Sequence, residues 1–190
     1  IYRTERAVKP NTPKVNPLAS LMRKPKLQVQ LPSKGRFWKE GSIVESSNNS
    51  YDVFSMTAKD EMSIRNIGAL ANGQAIVNVV HSCIPAIKNA WAIPNIDLDA
   101  LLIAIRAATY GSFVTGKVTA NGYEYSVQIH LSDILNKMAN ETEWDEVCDI
   151  SDELSISIKP LCYKEFVNAS QEFVETTKIM KLVNDDQMAE

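Results

Sequence analysis

The stretch of this chain most like a catalytic motif is Gly111-Ser-Phe-Val-Thr-Gly116-Lys117, which fills the first seven places of a phosphate-binding loop. Such a loop wraps backbone amides around phosphates between a strand and a helix. Val118 stands where the magnesium-binding hydroxyl must be, and the local pattern puts a helix before the stretch and a strand after it. We read it as a helix stop and strand entry that contain two glycines. His81 and His130 are the two imidazoles, and Cys83, Cys148 and Cys162 are scattered without a Cys-x-x-Cys pair, so no zinc site is expected. On a helix, residues two apart point away from each other, which makes Cys83 a core residue rather than a partner of His81. Cys148 lies among Glu143, Asp145, Glu146, Asp149 and Asp152, whose negative field raises a thiol pKa and blunts a nucleophile. Those carboxylates lack the glycine-centred spacing of a calcium loop and read as a solvated acidic connector. Asn48, Asn140 and Asn168 open glycosylation sequons, which matter only in a secreted chain. No catalytic residue and no cofactor follows from these patterns.

With 190 residues, 45% hydrophobic and 23% charged, the composition is that of a globular protein with length for one or two small cores. The longest apolar stretch, Leu98 to Ala108, is broken by Arg106 and falls short of the roughly 18 uninterrupted residues of a membrane span. The opening residues contain no apolar run of the signal-peptide kind, and three cysteines are too few for a disulfide scaffold, so a reducing cytoplasm is expected. The start at Ile1 rather than Met leads us to expect residues before it. Charge is sorted along the chain: residues 1–39 carry ten Lys and Arg against one Glu, whereas residues 133–190 carry five against fourteen acids. A basic arm of this kind docks on an acidic protein surface, on the acidic end of a neighbouring copy, or on nucleic acid. It lacks the arginine and aromatic interleaving of single-strand binders, so protein docking is preferred and a nucleic-acid-binding adaptor is the alternative.

The elements that must position any site follow from periodicity. Pro10, Pro13, Pro17 and Pro25 make residues 1–25 an extended arm. From Lys26, Leu27, Val29 and Leu31 alternate with Gln28 and Gln30 until Pro32, a half-buried strand. Gly35 and Gly41 bracket Phe37 and Trp38. Beyond them Ser42 to Glu45 and Tyr51 to Ser55 read as a hairpin with a polar tip. Thr57 and Asp60 form a capping-box signal for a helix that reaches Asn72 and buries Met62, Ile67 and Leu70. A second helix, Gln74 to Cys83, stacks Ile76, Val79, Val80 and Cys83. Asp97 then caps the most hydrophobic helix, carried by Leu98, Leu101, Leu102, Ile105 and Ala108 and stopped at Gly111. Residues 112–131 form a hairpin closed by the type I′ pair Asn121-Gly122. After a short helix from Ser132 to Met138 come an acidic connector from Glu141 to Glu153 and a strand with Leu154, Ile156 and Ile158 on one face. A long helix from Tyr163 to Val183 closes the chain, its stripe made by Phe166, Ala169, Phe173, Thr177 and Met180. The expected class is α+β: an extended N-terminal arm, a small antiparallel sheet and hairpins packed on a central helical group, and a long C-terminal helix. It divides into an arm (1–25), a core domain (26–139) and a C-terminal segment (140–190).

The stretch from Leu21, LMRKPKLQVQLPSKGRFWKEGSI, followed by YDVFSMTAKDEMSIRNIGALANGQAIVNVVHSCIPAIKN and IDLDALLIAIRAATYG, resembles the baseplate hub assembly protein family of T-even contractile-tailed bacteriophages. The LPSKG-F and MTAKDE elements carry the likeness, which runs from about Leu21 to Leu131. The resemblance implies a non-enzymatic tail protein, an assembly chaperone or hub subunit. It would work in the host cell cytoplasm or in the virion baseplate, with other hub or tape-measure proteins, or a second copy of itself, as partners. It also implies a Cys-x-x-Cys pair in the hairpin after the central helix, where this chain has VTGKVTANGYEYSVQIHL and no cysteine. An assembly role needs surfaces rather than a reactive centre. The expected partner-binding residues are Lys34, Arg36, Phe37 and Trp38 in the glycine-bracketed loop, and Phe166, Phe173 and Met180 on the last helix.

Overall fold

The computed structural model describes residues 23–141, 147–151 and 153–187. The predicted arm therefore lies outside the described residues up to Met22, as do residues 142–146 and Asp152 of the predicted acidic connector. The class is the expected α+β, with small two-stranded antiparallel sheets around a helical core and a long C-terminal helix.

Strand β1, Leu27–Gln30, forms where the alternation predicts it, with Val29 and Leu31 buried and Pro32 ending the ladder. It pairs with β2, Ser50–Val53, in a register that sets Leu27 opposite Val53 and Gln30 opposite Ser50. This corrects the expected hairpin between Ser42 to Glu45 and Tyr51 to Ser55. Tyr51 and Val53 share a buried face with Val29, so β2 gains more by pairing with β1, while Ile43 bridges to Ile87 and Val44 N donates to Ala86 O at 2.8 Å.

The predicted helix from Thr57 to Asn72 is two helices, α1 (Ala58–Arg65) and α2 (Ile67–Ala71). Asn66 stands between them in an extended conformation, φ −80° and ψ 106°, and its side chain caps α2 by accepting from Ala69 N at 3.1 Å. The break turns Ile67 and Leu70 outward, and Met62 is also exposed; α1 instead presents Asp60 and Ile64 to the core. The capping box is complete: Asp60 N donates to Thr57 Oγ1, and Thr57 N donates to Asp60 Oδ2. Asp60 Oδ2 accepts from Ser82 Oγ at 2.8 Å as well. Burial works against the Asp60 carboxylate, but the Thr57 and Ser82 hydrogen bonds and the nearby charge of Arg23 outweigh it and hold the group below the usual carboxylate range. A lowered folded-state pKa contributes stability that is present above the unfolded value and lost as pH falls through the folded one. Asp60→Asn is therefore expected to flatten the acid limb of a stability-versus-pH titration, and an acid limb as steep as that of the wild type would overturn this assignment.

Helix α3, Gln74–Cys83, has the predicted bounds and buries Val79, Val80 and Cys83, with Ala75 and Val77 added to the buried set and Ile76 only partly covered. Helix α4, Asn95–Tyr110, is central as expected, with Leu98, Leu101, Ala104 and Ile105 buried and Gly111 (φ 95°) at its stop. Its N-cap is Pro94, not Asp97, because the helix starts one turn earlier than the apolar pattern; Asp97 lies in the first turn and is fully buried. Strands β3, Phe113–Ala120, and β4, Tyr123–His130, form the predicted hairpin, with Asn121 at φ 53° and Gly122 at φ 81° as a type I′ turn demands. Helix α5, Leu131–Glu141, begins directly at Leu131, whose N donates to Ser112 O at 2.8 Å, and packs on α4 and β1.

Part of the expected acidic connector is a strand: β5, Val147–Ser151, pairs with β6, Leu154–Ser157. Val147, Cys148 and Ile150 supply strand-forming side chains among the carboxylates. Helix α6, Tyr163–Gln187, extends four residues past the expected end. Its entry is fastened by Asn95 N to Leu161 O and Tyr163 N to Ile93 O, both 2.8 Å, and by Cys162 N donating to Glu165 Oε2 at 2.8 Å.

Candidate protein interface

Ser33 to Gly41 form a compact loop whose shape depends on left-handed backbone at Lys34 (φ 55°), Gly35 (φ 83°), Phe37 (φ 68°) and Gly41 (φ 74°). Lys34 N donates to Leu31 O and Arg36 N to Ser33 O, which folds the chain back on itself just after β1. The loop is tied to α4 by one carboxylate. Asp97 Oδ1 accepts from Ser33 N at 2.8 Å, and Asp97 Oδ2 accepts from Ser33 Oγ at 2.6 Å and from Trp38 Nε1 at 2.7 Å. Burial pushes the Asp97 carboxyl above its ordinary range, against the pull of these hydrogen bonds. Trp38 is thus half-buried against the core with its indole N–H satisfied. What the loop offers outward is charge: Lys34, Arg36 and Lys39 are exposed, and the Arg36 guanidinium lies 5.5 Å from the centroid of the half-buried Phe37 ring.

The second surface belongs to α6. Tyr163 and Val167 are its buried positions among the described side chains. They seat the first turns against Trp91, whose ring stacks on Tyr163 with centroids 5.6 Å apart, and against Gly73. Gln171 Nε2 reaches Ala71 O at 3.3 Å, and Val174, Glu175 and Lys178 line a shallow cleft with Gly68 and Ala71 of α2. Phe166, Phe173 and Met180 are 44%, 73% and 62% exposed. They are spaced seven apart, so they line up along one side of the helix. The loop and α6 approach each other at one place, a cleft of about 550 Å³ lined by Lys39, Trp91, Lys164, Asn168 and Gln171. Arg23 fastens the chain just before β1: its guanidinium donates to Ser82 O at 2.8 Å and to Ser55 O, and lies over the Phe54 ring.

Both histidines, Cys83 and the two glycines of the loop-like stretch have structural roles. His81 Nε2 accepts from Ala90 N at 3.0 Å and so helps shape the turn before α4. His130 Nδ1 hydrogen-bonds Ser132 Oγ, and its ring meets Phe113 edge-on at 4.4 Å. Cys83 is a core thiol, its pKa pushed up by burial. Gly111 ends α4 and Gly116 lies within β3, so no phosphate cradle forms there. Among the described residues no cluster of three or more metal-ligating side chains exists, and none of their helices is long and apolar enough to cross a membrane.

Sequence reasoning missed the Asp97 knot, because its partners are 59 and 64 residues away and no local pattern announces them. It also missed the face of β3 and β4 described below, although their period-two alternation was there to be read. A search of the curated proteins and of the solved structures returns no match. The family model described as T4 bacteriophage base plate protein matches residues 22–188, well past the Leu131 at which the motif likeness ends and through α6, and the chain accordingly belongs to that family of phage base plate proteins.

Proposed function

We propose that the chain acts in assembly of the baseplate hub, as an assembly chaperone or hub subunit, through protein-protein contacts and without catalysis. The observation that carries this reading is the exposed Phe166, Phe173 and Met180 stripe on a helix whose buried side chains, among those described, are Tyr163 and Val167 in its first turns. An unpaired stripe with a seven-residue repeat is a helix-pairing seam. The loop residues Lys34, Arg36, Phe37 and Trp38 form the second contact, with the three lysine and arginine side chains of the loop directed at an acidic partner surface and Trp38 holding the loop in shape.

Phe173→Asp tests the reading. At 73% exposure the side chain has little buried surface to lose, so unfolding free energy should stay within about 0.5 kcal/mol of the wild type. Capture of hub or tape-measure components from infected cells by the tagged full chain should fall at least about tenfold, the effect of losing one aromatic anchor. Undiminished capture of those components would remove α6 from the interface.

A further inference from the structure

We propose that the β3–β4 hairpin is a self-association surface, which pairs face to face with the same hairpin of a second copy of this chain. In the observed register Val114 lies opposite Ile129, Val118 opposite Tyr125 and Ala120 opposite Tyr123, with Gly116 opposite Val127. Side chains alternate between the faces of a strand, so all of these residues share one face, and it carries no charge. The other face holds Thr115, Lys117, Glu124 and Gln128, with Lys117 and Glu124 joined in an ion pair of 3.1 Å. The hairpin is therefore amphipathic, yet its apolar side covers no core. Val118, Tyr123, Tyr125, Val127 and Ile129 remain 39–70% exposed. An isolated two-stranded ribbon is marginal in water, and one with an open apolar face calls for a cover.

Two properties of the face favour its own copy as that cover. The first is area. The five exposed side chains present on the order of 500 Å² per copy, so a two-fold pair that covers them fully removes about 1,000 Å², the lower bound for a specific interface. The second is self-compatibility of charge and shape. A face without charges meets itself with no like-charge clash, as all the hairpin's ionised groups lie on the far side. Bulk is concentrated near the tip, in Tyr123 and Tyr125, while a Cβ placed at Gly116 meets nothing within 4 Å. In a two-fold antiparallel pairing the tyrosines of each copy pass over the open Gly116 of the other.

The test is the mass of the full chain by sedimentation and light scattering across a concentration series up to about 100 µM. The wild type is expected to show a monomer–dimer equilibrium. Val127→Lys should raise the dissociation constant at least tenfold, and Thr119→Lys, on the polar face, should leave it unchanged. Circular dichroism and thermal melting monitor folding, and should Val127→Lys unfold, the milder Tyr125→Ser carries the same comparison. A wild type that stays monomeric throughout overturns the proposal, and so does a dimer that Val127→Lys and Tyr125→Ser leave intact. A monomeric wild type whose capture of a hub component is abolished by Val127→Lys would assign the face to a different protein. The proposal stands apart from the α6 reading, since Phe173→Asp leaves this hairpin untouched.

Discussion

Asp97→Ala is expected to cost about 3–5 kcal/mol of unfolding free energy in urea denaturation. The carboxylate is fully buried and accepts from Ser33 N, Ser33 Oγ and Trp38 Nε1. Each donor left without an acceptor costs about 1–3 kcal/mol; the desolvation of the removed carboxyl is recovered, and Trp38, being only half-buried, regains some water, so the three do not simply add. Asp97→Asn should cost less, because its remaining oxygen still accepts from Ser33 N and the Ser33 hydroxyl can rotate to accept from the new amide. Trp38 is the partner it fails. A loss under about 1 kcal/mol for Asp97→Ala would show that the knot does not hold the loop. The two buried aspartates also differ in sign with pH. Asp97 has a raised folded-state pKa, so its contribution is fully present below the ordinary carboxylate value and is lost as pH rises through the folded one, the reverse of Asp60. Asp97→Asn should abolish that decline and Asp60→Asn the acid one.

Legibility in this chain follows the range of the forces. The Thr57–Asp60 capping box, the Asn121-Gly122 turn and the bounds of α3 depend on neighbours a few residues apart, and all three stand where the sequence places them. The partner of β2 was not legible, because choosing β1 over Ser42 to Glu45 depends on which strand brings Val29 and Tyr51 onto the same core. Asn66 reads in sequence as one polar residue in a helical run. Its capping of α2 is what splits that run and turns Ile67 and Leu70 outward. Residue types on α6 predicted a stripe, and the stripe exists, but only tertiary contact decides that Tyr163 and Val167 take the body while Phe173 and Met180 are left to solvent. For the same reason the sequence shows Trp38 in its glycine-bracketed loop but not its acceptor, Asp97, which the local pattern presents as a helix cap.

How firmly α6 is seated decides how its exposed stripe is presented, and Gly73 is where that seating is tightest. Gly73 precedes α3 at φ 77°, a conformation that costs a residue with a Cβ about 1–2 kcal/mol. A Cβ there would lie 2.9 Å from Val167 Cγ2, 3.1 Å from the Tyr163 hydroxyl and 3.2 Å from Trp91 Cη2. Two of these three neighbours are the buried anchors of α6, and Tyr163 also donates to Gly73 O at 3.4 Å. Trp91 is held in the turn before α4 and Tyr163 is fastened through Ile93, so the strain falls mainly on Val167, and relieving it pulls the second turn of α6 against its fastened entry. Gly73→Ala should therefore cost about 2–4 kcal/mol, backbone strain plus overpacking, and should increase protease cleavage between β6 and α6. Adding Val167→Ala removes the nearest clashing methyl, so the double variant should lose at least about 1 kcal/mol less than the sum of the two single losses. If the two losses add within about 0.5 kcal/mol, Gly73 is acting through its backbone angle alone and the close approach of α6 is not what requires glycine there.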